Sequence, residues 1–187
     1  GKRVEILSRS RSEAAGFVAA GMLAPHAEGL QGALLNLGQS SLQRHRKWIE
    51  SIEKNSKMSC GLKTCGIVVP FETHEDCARY PTYSFGEKLD RNNLLREVPG
   101  LSEKWKSGLL FMQDGQIDNR RLLMRALEKA CVELGVHFQE GVEVVEIMKD
   151  SNKFNGVKIK DINGNINYLE SEEAVLCCGA WSKQIFK

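Results

Sequence analysis

At 187 residues the chain is long enough for one sizeable domain or for parts of two. Hydrophobic residues make up 42% and charged residues 27%, which excludes a disordered or fibrous chain. With 26 Lys and Arg against 24 Asp and Glu the net charge is +2, too small a surplus to point to nucleic acid or an anionic membrane, and no apolar run has the length of a bilayer span.

The first element is a short strand at residues 4–7, with no strand and helix ahead of it and neither an initiator Met nor a signal-peptide pattern. α/β chains ordinarily supply a strand and a helix before such a segment, so the expectation is an internal stretch of a longer protein. A Ser/Arg-rich loop at 8–12 leads into a run poor in side chains, Ala14-Ala15-Gly16-Phe17-Val18-Ala19-Ala20-Gly21-Met22-Leu23-Ala24-Pro25. Such a run lets backbone approach another element or a flat ligand closely. His26 and Glu28 bracket Ala27 and read as a structural hydrogen bond. From residue 30 to about 55 the apolar positions keep helical spacing, with a polar stretch at 39–45 weakening the middle. Arg44-His45-Arg46-Lys47 reads as a solvated helix face, with Trp48 tucked inward.

Residues 66–71 read as a strand that Pro70 confines to a sheet edge or end. Residues 72–107 carry helix and loop signals, with Pro99-Gly100 as a turn. A second strand at 108–112 is closed by Asp114-Gly115. The clearest helix starts from a cap at Asp118, shows a stripe of Leu123, Leu127, Ala130 and Leu134, and ends at Gly135. Short strands follow at 136–139, 142–148, 156–160 and 165–169, the last two joined by the hairpin signal Asn163-Gly164. Ala174-Val175-Leu176-Cys177-Cys178, ahead of Gly179, reads as a strand buried on both faces of a parallel sheet.

The six cysteines, at 60, 65, 77, 131, 177 and 178, do not form the framework of a small secreted domain or a zinc spacing. They read as small hydrophobes in a reducing, cytoplasmic setting. No self-sufficient catalytic constellation is present: there is no Gly-x-Ser-x-Gly elbow, no lysine-bearing phosphate loop, no Gly-x-Gly-x-x-Gly and no metal cluster.

The block Ala19-Ala20-Gly21-Met22-Leu23-Ala24-Pro25-His26-Ala27-Glu28 resembles the flavin-loop signature of FAD-dependent glycine oxidases, including the oxidase of thiamine biosynthesis, within the D-amino-acid oxidase superfamily. The resemblance continues through Cys65-Gly66-Ile67-Val68 and through the stretch from Gly108 to Asp118. It closes on Cys177-Cys178-Gly179-Ala180-Trp181-Ser182 and so runs in order along essentially the whole chain. It implies an α/β fold: part of an FAD-binding, glutathione-reductase-like domain with parallel strands and an antiparallel ribbon at 1–60 and 118–187, and part of a mixed-sheet substrate domain at 61–117. It implies FAD as cofactor, with Ser8 and Arg9 beside the adenosine ribose and Ala15, Gly16, Ala20, Gly21 and Met22 along the pyrophosphate and isoalloxazine. Val144 would present backbone to the adenine, Gly179 would let a terminal strand pass close to the cofactor, and Trp181 would pack. Tight packing for residues 20–22 and a core role for Val144 are the alternatives.

The implied reaction takes a hydride from the α-carbon of glycine or another small amine to FAD, and oxygen then reoxidises the flavin to give peroxide. The imine would feed thiazole formation. That route needs no general base. Two positions depart from the family pattern. Ser8 stands where an acidic residue usually holds the ribose, and Ala15-Gly16-Phe17 replaces a hydroxyl-rich run. The Gly-rich phosphate turn and the carboxylate-binding arginine are not among these residues, so the isolated chain is expected to be inactive. A sarcosine or D-amino-acid oxidase, a flavin dehydrogenase and a non-catalytic module remain alternatives, and a homo-oligomer of the longer protein stays open.

Overall fold

The computed structural model describes residues 2–117, 120–151 and 153–185. Strand β1 (Glu5–Ser8) runs through single 3₁₀ turns at Arg11–Glu13 and Ala15–Phe17 to β2 (Met22–Leu23) and the long helix α1 (Gly32–Ser56). Then come β3 (Leu62–Lys63), β4 (Ile67–Phe71), α2 (His74–Ala78), a 3₁₀ turn at Tyr83–Phe85, β5 (Glu87–Leu89), α3 (Arg91–Glu97), β6 (Ser107–Phe111) and β7 (Gly115–Ile117). The remaining elements are α4 (Arg120–Glu133), β8 (His137–Glu140), β9 (Glu143–Asp150), β10 (Lys153–Lys160), β11 (Ile166–Glu170), a 3₁₀ turn at Gly179–Trp181 and α5 (Ser182–Ile185). Asp118, read as the cap of α4, lies outside the described residues. The chain divides into two compact units, Gly1–Phe17 with Cys131–Lys187, and Val18–Ala130.

In the first unit β1 and β8 pair in parallel, with Ser8 in register with Glu140. The ribbon is antiparallel in the order β11-β10-β9, so the expected α/β class, parallel strands plus ribbon, is borne out. The stop before β8 is a Schellman turn: Gly135 takes φ +80, its N–H donates to the Val132 carbonyl, and the Val136 N–H donates to the Cys131 carbonyl. Leu134 therefore leaves the helix and is exposed. The segment 174–178 is not the buried strand its apolar run suggests. Val175 is 88% exposed, and no described strand pairs with the segment. An apolar run becomes a central strand only where ladders form on both of its edges.

In the second unit that condition is met by β6. It lies between β4 and β5, and all its residues from Ser107 to Phe111 are buried. Pro70 lies on the edge strand β4, as its missing N–H requires. Strand β5 was hidden in the stretch read as helix and loop. The Glu87-Lys88-Leu89 segment is too short for a visible period, and only Leu89 turns to the core.

Helix α1 is continuous through the polar middle, because Gly38 and Gln39 there are contact residues rather than a break. A Cβ on Gly38 would come within 2.6 Å of Pro25, and Gln39 reaches His26. Ile49, Ile52 and Ser56 face inward at helical spacing. Trp48 lies off that stripe and is exposed instead of tucked in, tilted against the His45 ring. Ile49, Ile52, Cys60, Ile117, Ala126 and Ala130 form one core cluster, and Phe71, Cys77, Leu109 and Phe111 form another.

Candidate functional site

In the first unit, five of the expected site residues sit on the parallel pair, the loop after it and the ribbon, and a sixth, Gly179, on the 3₁₀ turn after the ribbon. Ser8 and Arg9 lie at the carboxyl end of β1, the end at which open α/β sheets hold ligands. The Ser8 carbonyl accepts from the Val142 N–H at 3.1 Å, which brings the start of β9 to the end of β1. Arg9 donates to Glu13 from Nε at 3.1 Å, and its Nη1 stands 4.0 Å from Glu143, next to Val144. The Glu13 hydrogen bond and charge, with a smaller push from Glu143, raise the Arg9 pKa above its ordinary value.

Val144 is half-buried opposite Ile159. The register then slips, because Lys158 pairs with Glu146, and Val145 is left as a bulge. Since β9 is an edge strand, its outer edge is unpaired among the described strands. Ala15 and Gly16 form the second 3₁₀ turn, Ala15 exposed and Gly16 half-buried. Gly179 has φ +53, and a Cβ there would meet nothing within 4 Å. The turn it opens leads into α5, which packs on β9, while Trp181 is exposed rather than packed.

Glu140 carries no signal in the sequence. Its carboxylate accepts from the Arg11 backbone N–H at 3.3 Å and from Arg11 Nε at 3.0 Å, so an acidic group occupies the strand beside Ser8. Only the strand register reveals it.

Ala20, Gly21 and Met22 belong to the second unit. Val18, Ala19 and Ala20 are exposed, and Met22 is 51% exposed, so no core side chain plugs this segment. Gly21 is different. It takes φ +87, its carbonyl accepts from the Ile117 N–H at 2.8 Å, and a Cβ would lie 2.4 Å from the Ile117 carbonyl oxygen. Its bareness is therefore required by strand β7 of the same chain.

Beside β2 a cavity of about 80 Å³ is lined by Leu23, His45, Arg46 and Lys63 among others, far smaller than a cofactor pocket. His45 Nε2 is buried without a hydrogen-bond partner in this region, and burial lowers the His45 pKa.

Two buried ionisable residues form a pair that the sequence did not connect. His26 is 3% exposed and Asp114 0%. Asp114 Oδ1 lies 2.6 Å from His26 Nδ1, while Oδ2 accepts from the backbone N–H of His26 at 3.2 Å and of Ala27 at 2.7 Å. Gln39 Nε2 meets His26 Nε2 at 3.1 Å, and the Thr82 hydroxyl donates to the His26 carbonyl at 2.6 Å. The partner of His26 is thus Asp114 and not Glu28. Among the described residues no group of His, Cys, Asp and Glu could hold a metal ion, and no helix is long and apolar enough to cross a membrane.

Comparison with known proteins gives this geometry its context. The family described as FAD dependent oxidoreductase matches residues 1–187. The bifunctional protein ThiO/ThiG of Synechocystis sp. is 35% identical over 186 residues, 98% of this chain and 27% of that protein. Its counterpart in Nostoc sp. is 29% identical over 191 residues, 99% of this chain and 28% of that protein. Among solved structures, glycine oxidase from Geobacillus kaustophilus superposes with a TM-score of 0.83 at 25% identity, covering 98% of this chain and 50% of that one. Glycine oxidase from Bacillus cereus ATCC 14579 shares the fold at a TM-score of 0.81 and 20% identity, covering 100% and 52%. The chain therefore spans about a quarter of the length of these curated relatives (27% and 28%) and about half that of the solved oxidases (50% and 52%). Matched along its whole length, and sharing the fold of glycine oxidases, the chain belongs to the FAD dependent oxidoreductase family.

Proposed function

We propose that the protein carrying this chain oxidises glycine or a similar small amino acid to its imine, with oxygen as final electron acceptor and hydrogen peroxide as by-product. The imine would serve thiazole formation in thiamine biosynthesis, and the protein would work in the cytoplasm. The observation that carries this reading is the continuous likeness to the Geobacillus glycine oxidase over 98% of the chain, alongside 35% identity to a ThiO/ThiG protein.

The residues fit FAD on three counts. The carboxyl ends of β1 and β8 lie side by side, β9 offers an edge unpaired among the described strands next to Ser8, and residues 18–20 and 22 stay exposed, carrying only their own Val18 and Met22 as large side chains. In this reading Ser8, Arg9 and the outer backbone edge near Val144 hold the adenosine. The turn at Ala15 and Gly16, with Ala20 to Met22, holds the pyrophosphate and the flavin ring, and Gly179 leaves room for the cofactor. In this reading residues 1–60 and 118–187 serve the FAD-binding domain and 61–117 the substrate domain, which holds the sheet β4-β6-β5. FAD, when bound, supplies the two-electron acceptor for amine oxidation. The chain's own task is to position it and exclude water, which needs no proton-transfer residue here.

Two experiments test the reading. Titration of FAD into the 187-residue chain measures what these residues bind by themselves, with little or no turnover expected from them alone. The longer protein, mixed anaerobically with glycine, should lose its flavin absorbance and, on admitting oxygen, release peroxide. Unchanged spectra with glycine, sarcosine and small D-amino acids would reject the proposal.

A further inference from the structure

We infer that Asp114 is the positioning residue that holds the backbone of residues 21–27 in place for the flavin. The inference rests on the proposed function for the claim that this backbone faces a flavin. The anchoring itself rests on geometry. Residues 21–23 are paired with β7, Met22 opposite Gln116 and Leu23 opposite Gly115, and the Gly21 carbonyl accepts from the Ile117 N–H at 2.8 Å. Three residues further on, the Asp114 carboxylate accepts both the His26 and the Ala27 backbone N–H groups, at 3.2 and 2.7 Å. Asp114 is the residue immediately before β7, so one short stretch, 114–117, grips residues 21–27 at both ends. Around the carboxylate the fit is closed: His26 Nδ1 at 2.6 Å, Gln39 behind the ring, and the Thr82 hydroxyl and the Tyr80 hydroxyl on the carbonyls of His26 and Ala27, each at 2.6 Å. A carboxylate shut away from water and receiving two backbone N–H groups is held far more strongly than an exposed loop contact. With β2 only two residues long, ladder pairing by itself is a weak hold on Gly21 and Met22.

The test uses amide hydrogen exchange of the chain without flavin, read at Ala27 and at Ile117, whose N–H reports whether Gly21 stays paired, together with FAD titration and the visible spectrum of bound flavin. In Asp114→Ala, exchange at both amides should rise by about tenfold or more, the scale set by losing a buried charge-assisted hydrogen bond. FAD affinity should fall by a similar factor, with a shifted flavin spectrum. Asp114→Asn should restore both to within a few-fold, since the amide oxygen can serve the backbone groups while the ring switches tautomer and Gln39 turns over. If Asp114→Ala fails to fold, Asp114→Asn combined with Gln39→Leu removes that compensation and should show the same losses.

Wild-type exchange at Ile117 while Ala27 opens would overturn the inference, because the carboxylate would then hold only its own loop. Fast exchange at Ile117 with unchanged FAD affinity and spectrum would overturn the positioning role. Failure of the unsubstituted chain to bind FAD counts instead against the proposed site, and the exchange rates still decide whether Asp114 anchors residues 21–27.

Discussion

Two neighbouring small residues, Ala20 and Gly21, are small for different reasons, and substitution separates them. At Gly21 a side chain would sit at φ +87 and press on the Ile117 carbonyl at 2.4 Å. Gly21→Ala should therefore destabilise the fold by at least about 2 kcal/mol, seen as a lower urea midpoint. Ala20 is exposed, so Ala20→Leu should leave stability within about 0.5 kcal/mol while weakening FAD binding. A large loss of stability in Ala20→Leu, or none in Gly21→Ala, would contradict this division. Composition alone makes the run slim; it cannot say which glycine answers to a strand of the same chain. The same limit explains the missed pair. Sequence alone sets His26 beside its neighbour Glu28 and shows Asp114 only as the turn ahead of Gly115. The buried contact between them depends on β7 returning to β2, which no local pattern records.

Elements were legible where a cap, a turn residue or a period acts locally. Gly135 stops α4 through its Schellman geometry, Pro70 keeps β4 at an edge, and Asn163-Gly164 does join β10 to β11. The hairpin's construction was not legible. Only Gly164 of that dipeptide takes a positive φ, +87, and the loop is organised by Asp161, whose carboxylate accepts from Asn163 N–H at 2.8 Å and from Asn165 N–H and Nδ2 at 2.8 and 2.9 Å. These bonds, the Asn165 side chain first and then its backbone, hold the Asp161 pKa below the ordinary carboxylate value. They favour the ionised form, so the stability they give the hairpin is fully present above that ordinary value and is lost as pH falls through the depressed one. Carboxyl titration by NMR should place the Asp161 midpoint below that of an unstructured Asp, with the Asn163 and Asn165 amide signals moving at the same pH. A midpoint at the ordinary value, with those amides unmoved, would show that the loop does not depend on the charge. The segment 174–178 and the strand β6 make the complementary point. Both have the apolar run of a central strand, and only the one with partners on both sides becomes one.

Over the whole molecule the apolar cores are unevenly shared. Among the described residues, all three core clusters lie within Val18–Ala130, whereas the buried hydrophobic residues of the other unit are Val142 and Ile159. Local opening follows local burial, so the ribbon unit should open at lower denaturant than the second unit. The cysteines report on this without an added label. Cys65 and Cys177 are exposed, while Cys60 and Cys77 are buried. Burial pushes both buried thiols above their ordinary pKa. The Glu53 charge adds to the effect at Cys60, while Ser107 and Lys88 oppose it at Cys77. Because the thiolate is the reacting species, the two buried cysteines are doubly protected from alkylation, by access and by protonation. In a urea series, Cys65 and Cys177 should alkylate rapidly in the native state, and the β10 amides should lose exchange protection first. Cys60 and Cys77 should then react together at a higher concentration, since they lie in separate clusters of one unit and share only its cooperative unfolding. Alkylation of Cys60 well before Cys77 would mean that the two clusters open independently. Alkylation of both at the urea concentration that opens β10 would mean that a ribbon with so little buried apolar surface is as stable as the unit that holds the cores.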